Sequence, residues 1–113
     1  MRPRPRPKRK GEMNRWEQRY TDRLELLKMS GKVVYYGYEA IRLTLAPGTT
    51  YTPDFYVITP DEVQFHEVKG QRFAAGMAKF KIAAELYPWA RFIMVEWGKE
   101  KEGFQGWKIV MEV

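Results

Sequence analysis

The sequence predicts an α/β fold, with a mixed central sheet of about five strands flanked by helices in the order αβββαββ. Two segments with the periodicity of amphipathic helices alternate with extended segments rich in Val, Tyr, Ile and Thr. Three strands followed by a helix and a return strand favour a sheet that is not purely antiparallel. We expect residues 13–113 to form this single domain and residues 1–12 to form a separate arm.

The first predicted element is a helix over residues 13–29. One apolar stripe runs along it, formed by Met13, Trp16, Tyr20, Leu24 and Leu27. Gly31 ends the helix. Glu17 is unexpected, because it lies about 20° from Leu24 at the edge of this stripe. A carboxylate in that position is either a solvated helix flank or points inward for a functional reason.

The remaining elements follow from β-branched and aromatic runs that turns separate. The predicted strands are residues 33–45, interrupted near Gly37, and residues 51–58, 63–69, 91–97 and 107–113, with turns at 46–49 and 59–62 and a polar loop at 98–106. A second helix over residues 73–87 is rich in alanine and ends at Pro88. Its apolar face consists of Phe73, Met77, Phe80, Ala84 and Tyr87.

The composition excludes several kinds of active site. The chain has no cysteine, so a disulfide framework, a zinc–thiolate site and a cysteine nucleophile are all excluded. With His66 as the single histidine and Ser30 as the single serine, a His-based metal cage is impossible and a Ser-His-Asp triad would need these two to meet by chance. A hydrolase of this composition must use carboxylates, lysine and a bound metal. No apolar run reaches the roughly 18 residues that span a bilayer, and we expect a soluble protein of a reducing, cytoplasmic compartment without membrane contact.

The positive charge is concentrated at the N-terminus. Of the 20 basic residues, six lie in the first ten positions, which leaves 14 basic against 14 acidic residues in the rest of the chain. These six are Arg2, Arg4, Arg6, Lys8, Arg9 and Lys10. Their alternation with prolines predicts an extended arm, which either binds nucleic-acid phosphates or serves as a solubilising or localisation-like tail.

The predicted strand at residues 63–69 carries charges at the end of an apolar face. Because side chains alternate, one face holds Val63, Phe65, Glu67 and Lys69, and the other holds Gln64, His66 and Val68. Asp54 follows Pro53 in the preceding strand. The turn between the two strands makes them antiparallel neighbours, so we expect Asp54 to lie alongside Glu67 and Lys69.

Two adjacent carboxylates repel each other unless a cation lies between them. Since only oxygen ligands are on offer, the cation that fits is Mg²⁺ or Mn²⁺. Lys69, beside the metal, can stabilise developing negative charge or transfer a proton. This combination suits in-line attack of water on a phosphodiester. The alternative interpretation of Glu67 and Lys69 is a cross-strand ion pair at the surface.

The motif Pro53-Asp54 followed by Glu67-Val68-Lys69 resembles that of the PD-(D/E)XK nuclease superfamily. The resemblance implies a restriction-endonuclease-like core and metal binding by Asp54 and Glu67. It also implies that Lys69 is the catalytic lysine, with Glu17 and the Val68 carbonyl as further ligands. The Glu-Val-Lys-Gly ending and the small size are similar to phage-encoded members, acting in the host cytoplasm, and to small Holliday-junction resolvases. The arm and the last strand lie outside the match.

From these residues we expect a metal-dependent DNA endonuclease with Asp54, Glu67 and Lys69 in its site. The resemblance adds Glu17 to the catalytic residues and implies branched DNA as the substrate. Two alternatives remain: a nicking or restriction-like nuclease on duplex DNA, and a non-catalytic nucleic-acid-binding protein. Further contacts to DNA are expected from Gln71, Arg72 and Lys79. His66 points away from Glu67, and we interpret it as a satisfied structural residue. Glu39 is a further acid that nothing in its spacing places at the metal.

A resolvase needs two coordinated cuts, which predicts a symmetric homodimer. The side chains available for its interface are Trp97, Phe104, Trp107 and Met111. The alternative is that these residues fill the core of the monomer, and composition does not distinguish the two.

Overall fold

The computed structural model describes residues 12–69, 73–98 and 106–113. Its helices are α1 (Arg15–Met29) and α2 (Phe73–Leu86). Its strands are β1 (Tyr35–Tyr38), β2 (Leu43–Ala46), β3 (Thr49–Tyr51), β4 (Phe55–Ile58), β5 (Val63–Val68), β6 (Arg91–Gly98) and β7 (Gly106–Glu112). The basic residues of the arm, Gln71, Arg72 and Phe104 lie outside the described residues.

The α/β class and the mixed five-stranded sheet are confirmed. The strands of this sheet are arranged in the order β1-β4-β5-β6-β7, and β2 and β3 form a separate two-stranded hairpin. The β5–β6 pair is parallel, because α2 connects the two strands, and the other pairs of the large sheet are antiparallel. The sequence-predicted neighbours at residues 51–58 and 63–69 pair antiparallel as β4 and β5.

The predicted order αβββαββ is wrong, because the structure has five strands between the two helices. The predicted strand at residues 33–45 is divided into β1 and β2, and the break follows Tyr38 instead of Gly37, which lies inside β1. There Glu39 adopts a positive φ of 46° and turns the chain. The predicted strand at residues 51–58 is divided at Pro53, which has no N–H to donate to a ladder.

Helix α1 begins two residues later than predicted, because Asn14 is its N-cap. The Asn14 side chain accepts a hydrogen bond from the Glu17 N–H at 2.8 Å, and the Glu17 side chain accepts one from the Asn14 N–H at 2.9 Å. This reciprocal arrangement is a capping box. Tyr20 and Leu24, from the predicted apolar stripe, are buried against the sheet.

The sheet separates two apolar cores. The α1-side core comprises Tyr20, Leu24, Val33, Phe55, Val57, Ile93 and Val95. The hairpin-side core lies under α2 and the β2–β3 hairpin, and comprises Leu43, Tyr51, Phe65, Phe80, Ala83, Ala84, Ala90, Phe92 and Met94. Within the described part of the chain, neither helix is both long enough and apolar enough to cross a membrane.

Candidate metal and catalytic site

Asp54 and Glu67 lie next to each other at one end of the sheet. The β4–β5 register pairs Phe55 with His66, so the preceding Asp54 comes beside the following Glu67. The Asp54 Oδ2 accepts a hydrogen bond of 2.8 Å from the backbone N–H of Val68. This bond continues the strand pairing with a side chain, where the backbone ladder stops. The expectation that Asp54 lies alongside the end of this strand is therefore confirmed.

The alternation of faces in β5 is also as predicted. Phe65 is buried in the hairpin-side core, whereas Val68 packs against the α1-side core. Glu67 points to the same side as Phe65 and is partly buried. Its Oε2 accepts a 2.5 Å hydrogen bond from the hydroxyl of Tyr51, at the end of β3. Burial and the adjacent Glu67 raise the pKa of Tyr51, so the phenol stays protonated and orients the carboxylate.

Glu17 is buried, with 3% of its surface exposed, so the interpretation as a solvated helix flank is wrong. In addition to the capping hydrogen bond, its Oε1 accepts one of 2.9 Å from the hydroxyl of Tyr38 in β1. The buried carboxylate therefore has a structural role in starting α1. It also lies close enough to Asp54 to interact with that side chain.

The three carboxylates influence one another electrostatically. Desolvation, followed by the negative charges of Glu67 and Glu17, raises the pKa of Asp54 well above its usual range. Desolvation also raises the pKa of Glu67, against the opposing effect of the Tyr51 hydroxyl. These acids are thus costly to ionise in the free protein. A bound cation would remove that cost, which is the chemical reason that such an arrangement favours a metal.

The chemistry of the donors fits a hard divalent cation, since Asp54 and Glu67 supply carboxylate oxygens from neighbouring strands. Among the described residues, however, no group of three or more Asp, Glu or His side chains is arranged to hold a metal ion. The side chain of Glu17 is committed to Asn14 and Tyr38. Both of these hydrogen bonds go to Oε1, and Glu17 also interacts with the side chain of Asp54.

Lys69 forms an ion pair with an acid that the sequence analysis did not single out. Its Nζ lies 2.6 Å from the Oε2 of Glu96 in β6, and the side chains are 34% and 29% exposed. This contact agrees with the alternative interpretation of Lys69 as a member of a cross-strand ion pair, and its partner is Glu96. The parallel register pairs Val68 with Val95, so the next residues on both strands meet. The sequence signal for Glu96 is an acid after the buried run of residues 92–95.

His66 is confirmed as a buried residue whose polar atoms have partners. Its Nδ1 lies 2.6 Å from the hydroxyl of Tyr20, and its Nε2 lies 2.7 Å from the Oε1 of Gln64. Desolvation lowers the pKa of His66 to about 4, and the positive charge of Arg23 acts in the same direction. The backbone of Glu39 contacts the site: its N–H donates a hydrogen bond of 2.9 Å to the carbonyl oxygen of Asp54.

Three other sequence-predicted residues within the described ranges connect or pack the elements of the fold. The Nζ of Lys79 donates a hydrogen bond of 3.0 Å to the carbonyl oxygen of Thr50. This bond connects α2 with the β2–β3 hairpin. Trp107 packs against the α1-side core and Met111 against the hairpin-side core. Trp107 and Met111 therefore contribute to the core of the monomer, as in the alternative to a dimer interface.

Sequence reasoning missed three residues that touch the candidate site: Tyr38, Tyr51 and Glu96. Both tyrosines lie in predicted strands, and nothing in their spacing relates them to the acids that they contact. Comparison of the chain with protein-family models and with curated proteins finds no match.

Proposed function

We propose that this protein is a metal-dependent DNA endonuclease with a PD-(D/E)XK-type site and a restriction-endonuclease-like core, acting on branched DNA. The observation that carries the proposal is the pair of carboxylates, Asp54 and Glu67, held together on neighbouring strands at the end of the sheet. Both have raised pKa values because of burial and neighbouring acids. A protein that only binds nucleic acid gains nothing from bringing these acids together.

Each residue of the site has a role that follows from its contacts. The Val68 N–H fixes Asp54, and the Tyr51 hydroxyl fixes Glu67, so that their oxygens can hold Mg²⁺ or Mn²⁺. A cation held there would polarise the phosphodiester and acidify a bound water. The ammonium group of Lys69 then stabilises the charge that develops on the phosphate oxygens. The ion pair with Glu96 restricts the side chain of Lys69.

The proposal is tested by incubating the purified protein with labelled duplex, flap and four-way DNA, in Mg²⁺ and in chelator. We expect cleavage in Mg²⁺ alone, with four-way DNA preferred over linear duplex, and sedimentation as a dimer at micromolar concentration, since paired cuts need two sites. Cleavage in chelator would contradict the metal mechanism. A monomer that cuts duplex and junction equally would leave a nuclease of the nicking or restriction-like kind.

Glu17 is tested by Glu17→Gln, which removes the negative charge but keeps an oxygen that accepts the hydrogen bonds of Asn14 and Tyr38. If the carboxylate is a metal ligand, the Mg²⁺ concentration for half-maximal cleavage rises by about tenfold or more. Glu25→Gln is the matched control, because Glu25 lies on the same helix and accepts a hydrogen bond from Tyr36. An unchanged Mg²⁺ dependence in Glu17→Gln would restrict Glu17 to its role in the helix cap.

A further inference from the structure

We infer that three arginines on one flank of α1 bind the phosphate backbone of the DNA strand that enters the acidic site. These residues, Arg15, Arg19 and Arg23, are called the arginine row. The inference rests on the proposed nuclease function, because it concerns how the substrate of that site is held. These three residues belong neither to the group of acids around Asp54 nor to the N-terminal arm.

The spacing of the arginine row follows from helix geometry. Its members are four residues apart, so they lie on one flank of α1 and rise about 6 Å per step. The row is therefore about 12 Å long. At roughly 3.4 Å per nucleotide along one strand, this length matches three to four nucleotides. All three side chains are exposed.

Aromatic rings hold two of these guanidinium groups in place. Arg15 lies 4.8 Å from the centre of the Trp16 ring, and Arg19 lies 5.2 Å from Trp16 and 4.9 Å from Trp97. Trp97 in turn packs edge-on against Trp107. A stacked guanidinium keeps its N–H edge available for a phosphate, and less side-chain entropy is lost when it binds one.

The charge of the arginine row is not neutralised within the described residues. No carboxylate of the described residues forms an ion pair with Arg15, Arg19 or Arg23, although Asp22 lies on the same helix. The neighbouring Arg91 shows the contrast, since Glu62 and Glu112 each contact it at 2.7 Å. An unpaired cation row is the surface charge that a polyanion requires.

A groove of about 450 Å³ adjoins the arginine row at Arg23. Its walls also include His66, Trp107, and Arg91 with its two acidic partners Glu62 and Glu112. At the other end, the row reaches the first turn of α1, which contains Glu17. Trp97 and Glu67 also lie toward the carboxyl ends of two parallel neighbours, β6 and β5. A strand lying along the row would therefore lead to the end of the sheet that holds the acids.

The test measures binding of a labelled flap DNA by anisotropy, in chelator, over a series of salt concentrations. In Arg19→Gln/Arg23→Gln the slope of log K against log salt should fall by about 1.4 to 1.8, since each lost phosphate contact contributes about 0.7 to 0.9. The matched control, Lys28→Gln/Lys32→Gln, removes two exposed cations at the far end of α1 and should leave the slope unchanged. In Mg²⁺ the arginine variant should raise KM and keep kcat.

Arg19→Lys/Arg23→Lys gives a second measurement if the glutamine variant does not fold. It keeps the charge, so the salt slope should persist while the binding constant weakens through loss of the planar fork. The inference would be overturned if Arg19→Gln/Arg23→Gln and Lys28→Gln/Lys32→Gln gave equal salt slopes. It would also be overturned if the arginine variant lost affinity for RNA and kept its affinity for DNA. Because binding is measured in chelator, a wild-type protein that binds through the row yet never cleaves would refute the nuclease proposal alone.

Discussion

Asp54→Asn is expected to reduce cleavage by at least about 10³-fold and, in the same protein, to raise the stability of the metal-free form. The carboxamide oxygen can still accept the hydrogen bond of the Val68 N–H. Unlike the carboxyl group, the carboxamide needs no proton to be neutral beside Glu67 and Glu17, whose charges disfavour ionised Asp54. The stability gain should be about 0.5–2 kcal/mol at neutral pH, measured by thermal and urea unfolding in chelator.

Mg²⁺ should stabilise the two proteins to different extents. It should raise the unfolding temperature of the wild type, because a ligand that binds the folded state stabilises it, and should do so much less in Asp54→Asn. Asp61→Asn is the control, since Asp61 is an exposed acid in the turn between β4 and β5. Neither its cleavage rate nor its response to Mg²⁺ should change. A destabilised, fully active Asp54→Asn would contradict the role of this acid.

Lys69→Met should reduce cleavage by about 10²- to 10³-fold while leaving the stabilisation by Mg²⁺ intact. The physical reason is that Lys69 supplies a positive charge to the reacting phosphate and no ligand to the metal. Glu96→Gln keeps an acceptor for the Lys69 ammonium group but removes the ion pair, so a loss of no more than about tenfold is expected. Single-turnover cleavage with saturating Mg²⁺ measures both.

Lys32→Met is the matched control for Lys69→Met, because Lys32 is an exposed lysine after the end of α1. It should cleave at the wild-type rate. If Lys69→Met did so as well, the ion pair with Glu96 would be the whole role of Lys69, as in the surface ion-pair alternative. A larger loss in Glu96→Gln than in Lys69→Met would instead place Glu96 among the residues that touch the metal or the substrate.

Short-range patterns were sufficient to predict the positions of Asp54 and Glu67. Strand alternation places Glu67 on one face, and a four-residue turn makes β4 and β5 antiparallel neighbours. The same reasoning predicted both helices, since periodicity is a property of consecutive residues. It failed for the division of the two long strands. The breaks depend on a positive φ at Glu39 and a missing N–H at Pro53, each a single-residue event within a run of strand-forming residues.

What the sequence by itself determined is the chemistry on offer: carboxylates and lysine, with no thiol and one histidine, on neighbouring strands. What only the tertiary structure decided is which distant groups meet these residues. Glu96 reaches Lys69 because a helical crossover sets the parallel β5–β6 register, and Tyr51 reaches Glu67 because the β2–β3 hairpin folds over the sheet. Such contacts depend on packing between elements far apart in the chain, for which no local pattern exists.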